Sequence, residues 1–221
     1  MKLINSVVLD KTQLAHNLVL LKLRPESPLG FKAGQFVIIP LPQDPAAPAG
    51  GKAPKGFYSI ASAEQDQHEF ELLVELREHY VSKWMASRRA SDQLPLEGPL
   101  GKFGLSGQAR PQAFLGFKAG VAPLRSMILS LLTAGFQAPL HLFLGEPELV
   151  FDSEWLALKA KYPQFHYSHA ADPAAALAAA IPARDNVDIY CAGFNHEVDP
   201  MLAGLTAAGF DKTQIKSEKF G

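Results

Sequence analysis

Through roughly the first hundred residues, apolar positions fall in short runs of branched and aromatic residues at 7–9, 18–23, 35–41, 56–61, 69–76 and 93–96. Runs of this length, bounded by Pro, Gly and polar residues, predict strands. Their spacing predicts a small antiparallel barrel. One helix interrupts the series at about 81–89, with Ser82 as its cap and Trp84 and Met85 forming an apolar side. Residues 42–56, loaded with Pro, Ala and Gly, read as a long loop.

Beyond residue 106 the pattern changes. Apolar runs at 113–117, 140–144, 165–168 and 187–191 alternate with helical stretches at 123–134, 153–161, 174–181 and 199–208. Parallel strands need crossover connections, which are usually helical, so this alternation predicts a doubly wound parallel sheet. The fold class expected is β plus α/β: an antiparallel barrel domain with a capping helix over residues 1–106, then an α/β domain over 107–221. The alanine-rich stretch 171–180 reads as a thin surface helix.

Composition narrows the function. With 221 residues and 48% hydrophobic content there is ample core, and 21 basic against 22 acidic residues leave a formal charge of −1. No run of one sign exists to suit a nucleic acid or a membrane surface, so the partners expected are small molecules or another soluble protein. A single cysteine, Cys191, allows no intrachain disulfide, iron-sulfur centre or zinc cluster. His166 and His169 stand three apart in a predicted strand and face opposite ways, so no metal site is expected there. Asp10 and Lys11 interrupt the start before a signal-peptide apolar region forms, and no window is apolar enough to span a bilayer, so the expected location is cytoplasmic. Any electrons carried need an organic cofactor.

Three motifs suggest which one. They are Phe57-Tyr58-Ser59-Ile60-Ala61-Ser62, Gly98-Pro99-Leu100-Gly101-Lys102-Phe103-Gly104-Leu105 and Gly120-Val121-Ala122-Pro123-Leu124-Arg125-Ser126-Met127. In order and spacing they resemble the ferredoxin-NADP reductase family, where a flavin barrel precedes a nicotinamide domain. The resemblance implies FAD, with FMN as the alternative. It also implies hydride transfer from a reduced nicotinamide C4 to flavin N5, then onward to an unidentified acceptor, which includes a redox partner protein. An accessory flavoprotein with a decayed nicotinamide site, and a cofactor-free interaction module, remain open beside it.

By the same resemblance, Tyr58 packs on the flavin and Ser59 sits near its reactive nitrogen. The family's Arg-x-Tyr-Ser arginine falls on Gly56, leaving Lys52 and Lys55 upstream as candidate phosphate cations. Ser82, at a helix N-terminus, offers a hydroxyl and free amides to a phosphate, with His79 in place of the family glycine. Gly98 and Gly101 bracket a turn that lets Phe103 plug the seam between the domains.

In the second domain the family turn Gly-Gly-Thr-Gly-Ile-Ala-Pro reads Phe117-Lys118-Ala119-Gly120-Val121-Ala122-Pro123. Gly120 and Pro123 are kept. Lys118 either reaches a cofactor phosphate or faces solvent, and the two readings stand equal. Glu146, close to Glu148, either accepts from a ribose diol and repels a 2′-phosphate, or lies in an exposed turn; with Phe117, Lys118 and Ala119 filling the open glycine turn as well, weak nicotinamide binding that prefers NADH to NADPH is expected. Cys191, in a variant of a Cys-Gly-Pro motif, would stand beside the nicotinamide. Glu218 and Phe220, in Glu218-Lys219-Phe220, resemble the terminal Glu-x-aromatic: Glu218 near hydride transfer and Phe220 over the flavin, or else a frayed tail. The catalytic candidates are Ser59, Cys191 and Glu218.

Overall fold

A computed structural model describes residues 3–15, 17–46, 50–145 and 150–220. Strands β1 (Leu3–Ile4), β2 (Ser6–Ala15), β3 (Leu18–Pro25), β4 (Phe36–Pro40), β5 (Lys55–Ser59), β6 (Phe70–Glu75) and β7 (Leu96–Leu100) form the first half, with helix α1 (Tyr80–Ala86) between β6 and β7. They make two antiparallel sheets, β1-β7-β4-β5 and β2-β3-β6, linked by bridges at Val7 with Gln93 and Ile60 with Leu72. Alternation drives this arrangement. On β6, Leu72 and Val74 point into the barrel core with Val8, Leu21, Val37 and Ile39, while Leu73 points away from it into a different cluster.

Two strands differ from expectation. β2 runs well past residue 9, because its outer half, with Asp10, Lys11, Thr12 and Gln13, is held by backbone pairing to β3 and not by burial of its own side chains. The Gly98-Pro99 segment, expected as a turn, lies inside β7, between Glu97 and Leu100, which pair with β4 across an irregularity in register. The bend follows it, with φ of 106° at Gly101. That positive φ favours glycine, and a Cβ at Gly101 would also come within 3.1 Å of the Phe36 ring, which would have to give way slightly.

The second half holds β8 (Gln112–Gly116), α2 (Val121–Thr133), β9 (Leu140–Leu144), α3 (Asp152–Lys161), β10 (Phe165–His169), α4 (Pro173–Ala180), β11 (Asp188–Phe194), α5 (Asn195–Ala207) and β12 (Ile215–Phe220). Its five-stranded sheet has the order β10-β9-β8-β11-β12, and each pairing is parallel. α4 starts where Asp172 Oδ1 accepts from the Ala175 amide at 3.0 Å, with Pro173 in the first turn. α5 starts earlier than expected because the Glu197 carboxylate accepts from the Phe194 amide at 2.8 Å and fixes the first turn. The chain end forms the fifth strand instead of a frayed tail.

One apolar cluster crosses between the halves. It joins Leu18, Ala33, Ala61, Leu73 and Phe103 to Phe114, Val121, Ala122 and Met127. Phe103 meets Tyr190 edge-on, with centroids 6.1 Å apart. Arg125 on α2 pins the seam: it donates to the Ala61 carbonyl at 2.8 Å and to Glu71 at 2.6 Å, and forks onto Glu154 at 2.7 and 2.9 Å. Among the described residues no helix is long and apolar enough to cross a membrane.

Candidate functional site

β5 and β6 meet at the bridge between Ile60 and Leu72 and then part. Together with the carboxyl ends of β11 and β12, the parting strands enclose a cavity of about 550 Å³. That lies within the range of roughly 300–1,000 Å³ common for small-molecule sites. Its walls are Gly56, Tyr58, Ser59, Leu73 and Glu75 from the barrel, Arg77, His79 and Ser82 beyond β6, and Ala119, Ala122, Phe194, Glu218 and Phe220 from the second half. It sits beyond the carboxyl ends of the paired strands β8 and β11, where the strand order reverses and open α/β sheets place their ligands.

Ser59 and Glu218 come together across the seam. Ser59 Oγ donates to Glu218 Oε2 at 3.3 Å. Burial pushes the Glu218 carboxyl up to about 7, against the opposing pull of the Ser59 hydrogen bond. Tyr58 packs at the edge of the barrel core, and burial raises its phenol above the usual range, so it stays neutral. Phe220 meets Phe194 edge-on, with centroids 5.5 Å apart.

Gly56 has a definite consequence. A Cβ there would lie 2.5 Å from Tyr58 Cε2, so the tyrosine ring occupies the space in which any larger residue would begin. Lys55 lines the cavity, but its ammonium is engaged by Glu97 at 3.0 and 3.2 Å. Lys52 lines a neighbouring cavity of about 430 Å³ with Gln43, Asp44 and Pro54, and His79 and Val81 border both cavities. Ser82 lines the main cavity with its polar groups already used: its hydroxyl donates to the Glu75 carbonyl at 3.1 Å and its amide to His79 Nδ1 at 3.3 Å. The amide expected to be free is capped by the histidine.

Other sequence candidates stand elsewhere. Gly98 holds β7 close to β4 and does not border the cavity; a Cβ there would lie 3.3 Å from the Phe36 carbonyl. Lys118, at a φ of 41°, opens a short 3-10 turn over Lys118–Gly120 and lies off the cavity wall. Gly120 does not leave open space: a Cβ would lie 2.1 Å from the Ala192 carbonyl, so its smallness lets the turn press on β11. Pro123 is buried in the first turn of α2. The Phe117 ring covers Gly145, where a Cβ would come within 1.7 Å of it. Glu146 and Glu148 lie outside the described residues.

Cys191 requires a correction. It is wholly buried with Ala113, Leu115, Phe143 and Val198, in a different cluster from Ala192 and the α2 turn. Burial pushes its thiol up to about 12. Side chains alternate along a strand, so Ala192 and not Cys191 faces the turn, and alanine has no thiol to offer.

Arg77, Glu75 and Phe194 also belong to the site, though the sequence reading passed over them. The Arg77 guanidinium lies 3.7 Å from the Phe194 ring centroid, and Glu75 Oε1 is 3.4 Å from it. Glu75 Oε2 is buried with no hydrogen-bond partner, an acceptor waiting for a donor. The signal was available: alternation carried past β6 puts residues 73, 75 and 77 on one face.

Comparison with known proteins fits this arrangement. Residues 5–104 match the oxidoreductase FAD-binding domain family. The toluate 1,2-dioxygenase electron transfer component of Pseudomonas putida is 28% identical over 228 residues, covering 94% of this chain and 65% of that protein. Ferredoxin-NADP reductase B of Sorangium cellulosum is 33% identical over 144 residues, covering 62% of this chain and 56% of that one. The flavohem-like FAD/NAD-binding domain of nitric oxide dioxygenase from Vibrio cholerae O1 biovar El Tor has the same fold. It superposes with a TM-score of 0.82 at 20% identity, over 99% of this chain and 98% of that one. Residues 5–104 thus match an oxidoreductase FAD-binding domain, and the chain as a whole shares the fold of the Vibrio cholerae FAD/NAD-binding domain. It spans less than two thirds of the length of these two curated relatives.

The cavity fits FAD. Tyr58, Leu73 and Phe220 offer apolar surface to a flat ring, Glu75 Oε2 is an acceptor without a donor, and Arg77 brings positive charge for phosphates.

Proposed function

We propose that this chain is the flavin and nicotinamide part of an electron-transfer reductase. It would hold FAD in the cavity, accept reducing equivalents from NADH in preference to NADPH, and pass electrons to a redox protein. The observation that carries this reading is the Ser59 to Glu218 hydrogen bond, which joins barrel and terminal strand at the wall of one cavity. The names of the relatives, an electron transfer component and a ferredoxin reductase, support a protein acceptor. We place the domain boundary near residue 106, after Phe103 has entered the seam.

Bound FAD supplies a ring that takes a hydride at N5 and releases electrons singly. The residues do the rest. Tyr58 and Phe220 would shield the ring from water, and Ser59, donating to Glu218, would hold its hydroxyl oxygen near the ring. Glu218 keeps a proton on its carboxyl up to about pH 7 and exchanges it with the Ser59 oxygen.

A second reading, an accessory flavoprotein with a closed nicotinamide site, is favoured by the Phe117 ring on Gly145 and by the strained Lys118. Anaerobic mixing with NADH separates the two: a reductase loses its flavin absorbance, whereas the accessory protein stays yellow. Protein that retains neither FAD nor FMN would leave only the cofactor-free module.

A further inference from the structure

We propose that Arg77 is the residue that binds the phosphate of the flavin, an assignment that rests on the functional reading above. A phosphate in the cavity needs a cation on its wall, and among the described residues Lys55, Arg77, His79 and Lys219 are the candidates. Three are committed elsewhere. Lys55 is held by Glu97, Lys219 by Asp199, and His79 accepts from the Ser82 amide. Arg77 has only a long contact to Glu75 at 3.4 Å. Its face lies over the Phe194 ring at 3.7 Å. Nη2 makes a long hydrogen bond to Glu75 Oε1 at 3.4 Å, and a guanidinium held by its face keeps its other in-plane N–H groups for the fork that matches phosphate.

Its position also suits the task. The bridge of Ile60 with Leu72 sets Ser59 beside Leu73, so a ring anchored at Ser59 starts at Leu73. Arg77 lies four residues further along the same face, about 13 Å at roughly 3.3 Å per residue. That is the reach of a flavin ring and its ribityl chain. The carboxylate of Glu75 stands between them and repels a phosphate, which makes a cation beyond it the more necessary.

The test is titration of FAD, FMN and riboflavin, followed by flavin fluorescence at low and high salt, into wild type, Arg77→Gln, Arg77→Lys and Phe194→Leu. Arg77→Gln should weaken FAD and FMN about tenfold or more, leave riboflavin unchanged and flatten the salt dependence. Arg77→Lys should fall between. Phe194→Leu, which removes the stack and keeps the charge, should still prefer phosphorylated flavins. Equal loss for riboflavin would make Arg77 a brace for Phe194, and no loss for FMN would also overturn the assignment. A wild type that binds none of the three flavins would overturn the functional reading, and this one with it.

Discussion

Glu218 is a carboxyl whose environment works against its charge, and its stability effect has a definite sign. Its folded value, about 7, lies above the ordinary 4.5. Below the lower value both folded and unfolded forms are protonated and nothing is lost. As pH rises from 4.5 toward 7 the unfolded chain releases the proton first, so stability falls across that window and stays low above it. Glu218→Gln should therefore gain melting temperature relative to wild type at pH 8 and much less at pH 5. An equal difference at both values would show that the carboxyl is not protonated by burial. Gly56 gives a second residue-scale outcome. Gly56→Ala drives a Cβ to within 2.5 Å of the Tyr58 ring, so it should cost about 1–3 kcal/mol in urea unfolding. A neutral result would mean that Tyr58 moves aside freely.

At the scale of elements, the strands and helices that bury a clear apolar face were legible, among them β3, β6, β8, β9 and α2. β12 was harder, because Ile215-Lys216-Ser217-Glu218-Lys219-Phe220 is mostly polar and gains its place by edge pairing with β11. Ser59, Tyr58 and Glu218 could be named from motifs. Arg77 went unnamed although alternation sets it on the face of Leu73 and Glu75, because which face lines the cavity depends on where β5 and β6 diverge, and Cys191 was misplaced by a single step of strand alternation. The turn at Lys118–Gly120 leads into α2 and presses against β11 through Gly120. Lys118 holds a φ of 41°, which costs a side-chain-bearing residue about 1–2 kcal/mol. Lys118→Gly should recover up to about 1 kcal/mol in urea unfolding, while Lys118→Ala, which keeps a Cβ, recovers none. If alanine stabilises as much as glycine, the lysine side chain and not its backbone is at fault.

The whole molecule works through its seam, since the cavity has walls from both halves. Arg125 ties the halves together, with Ala61 and Glu71 on the barrel and Glu154 on α3 all in contact. Arg125→Met should cost about 3 kcal/mol, because it leaves the Glu71 and Glu154 carboxylates and the Ala61 carbonyl without their shared donor. Urea unfolding measures this, and a loss below about 0.5 kcal/mol would place the pair among ordinary surface contacts. The central claim is that this seam holds FAD where a reduced nicotinamide can reach it. The most direct measurement is the absorption spectrum of the protein after equilibration with FAD and desalting, recorded again after anaerobic addition of NADH and, separately, NADPH. The account predicts retained flavin bands that bleach with NADH and more slowly with NADPH. A protein that emerges colourless, or a bound flavin that neither nucleotide bleaches, would contradict it.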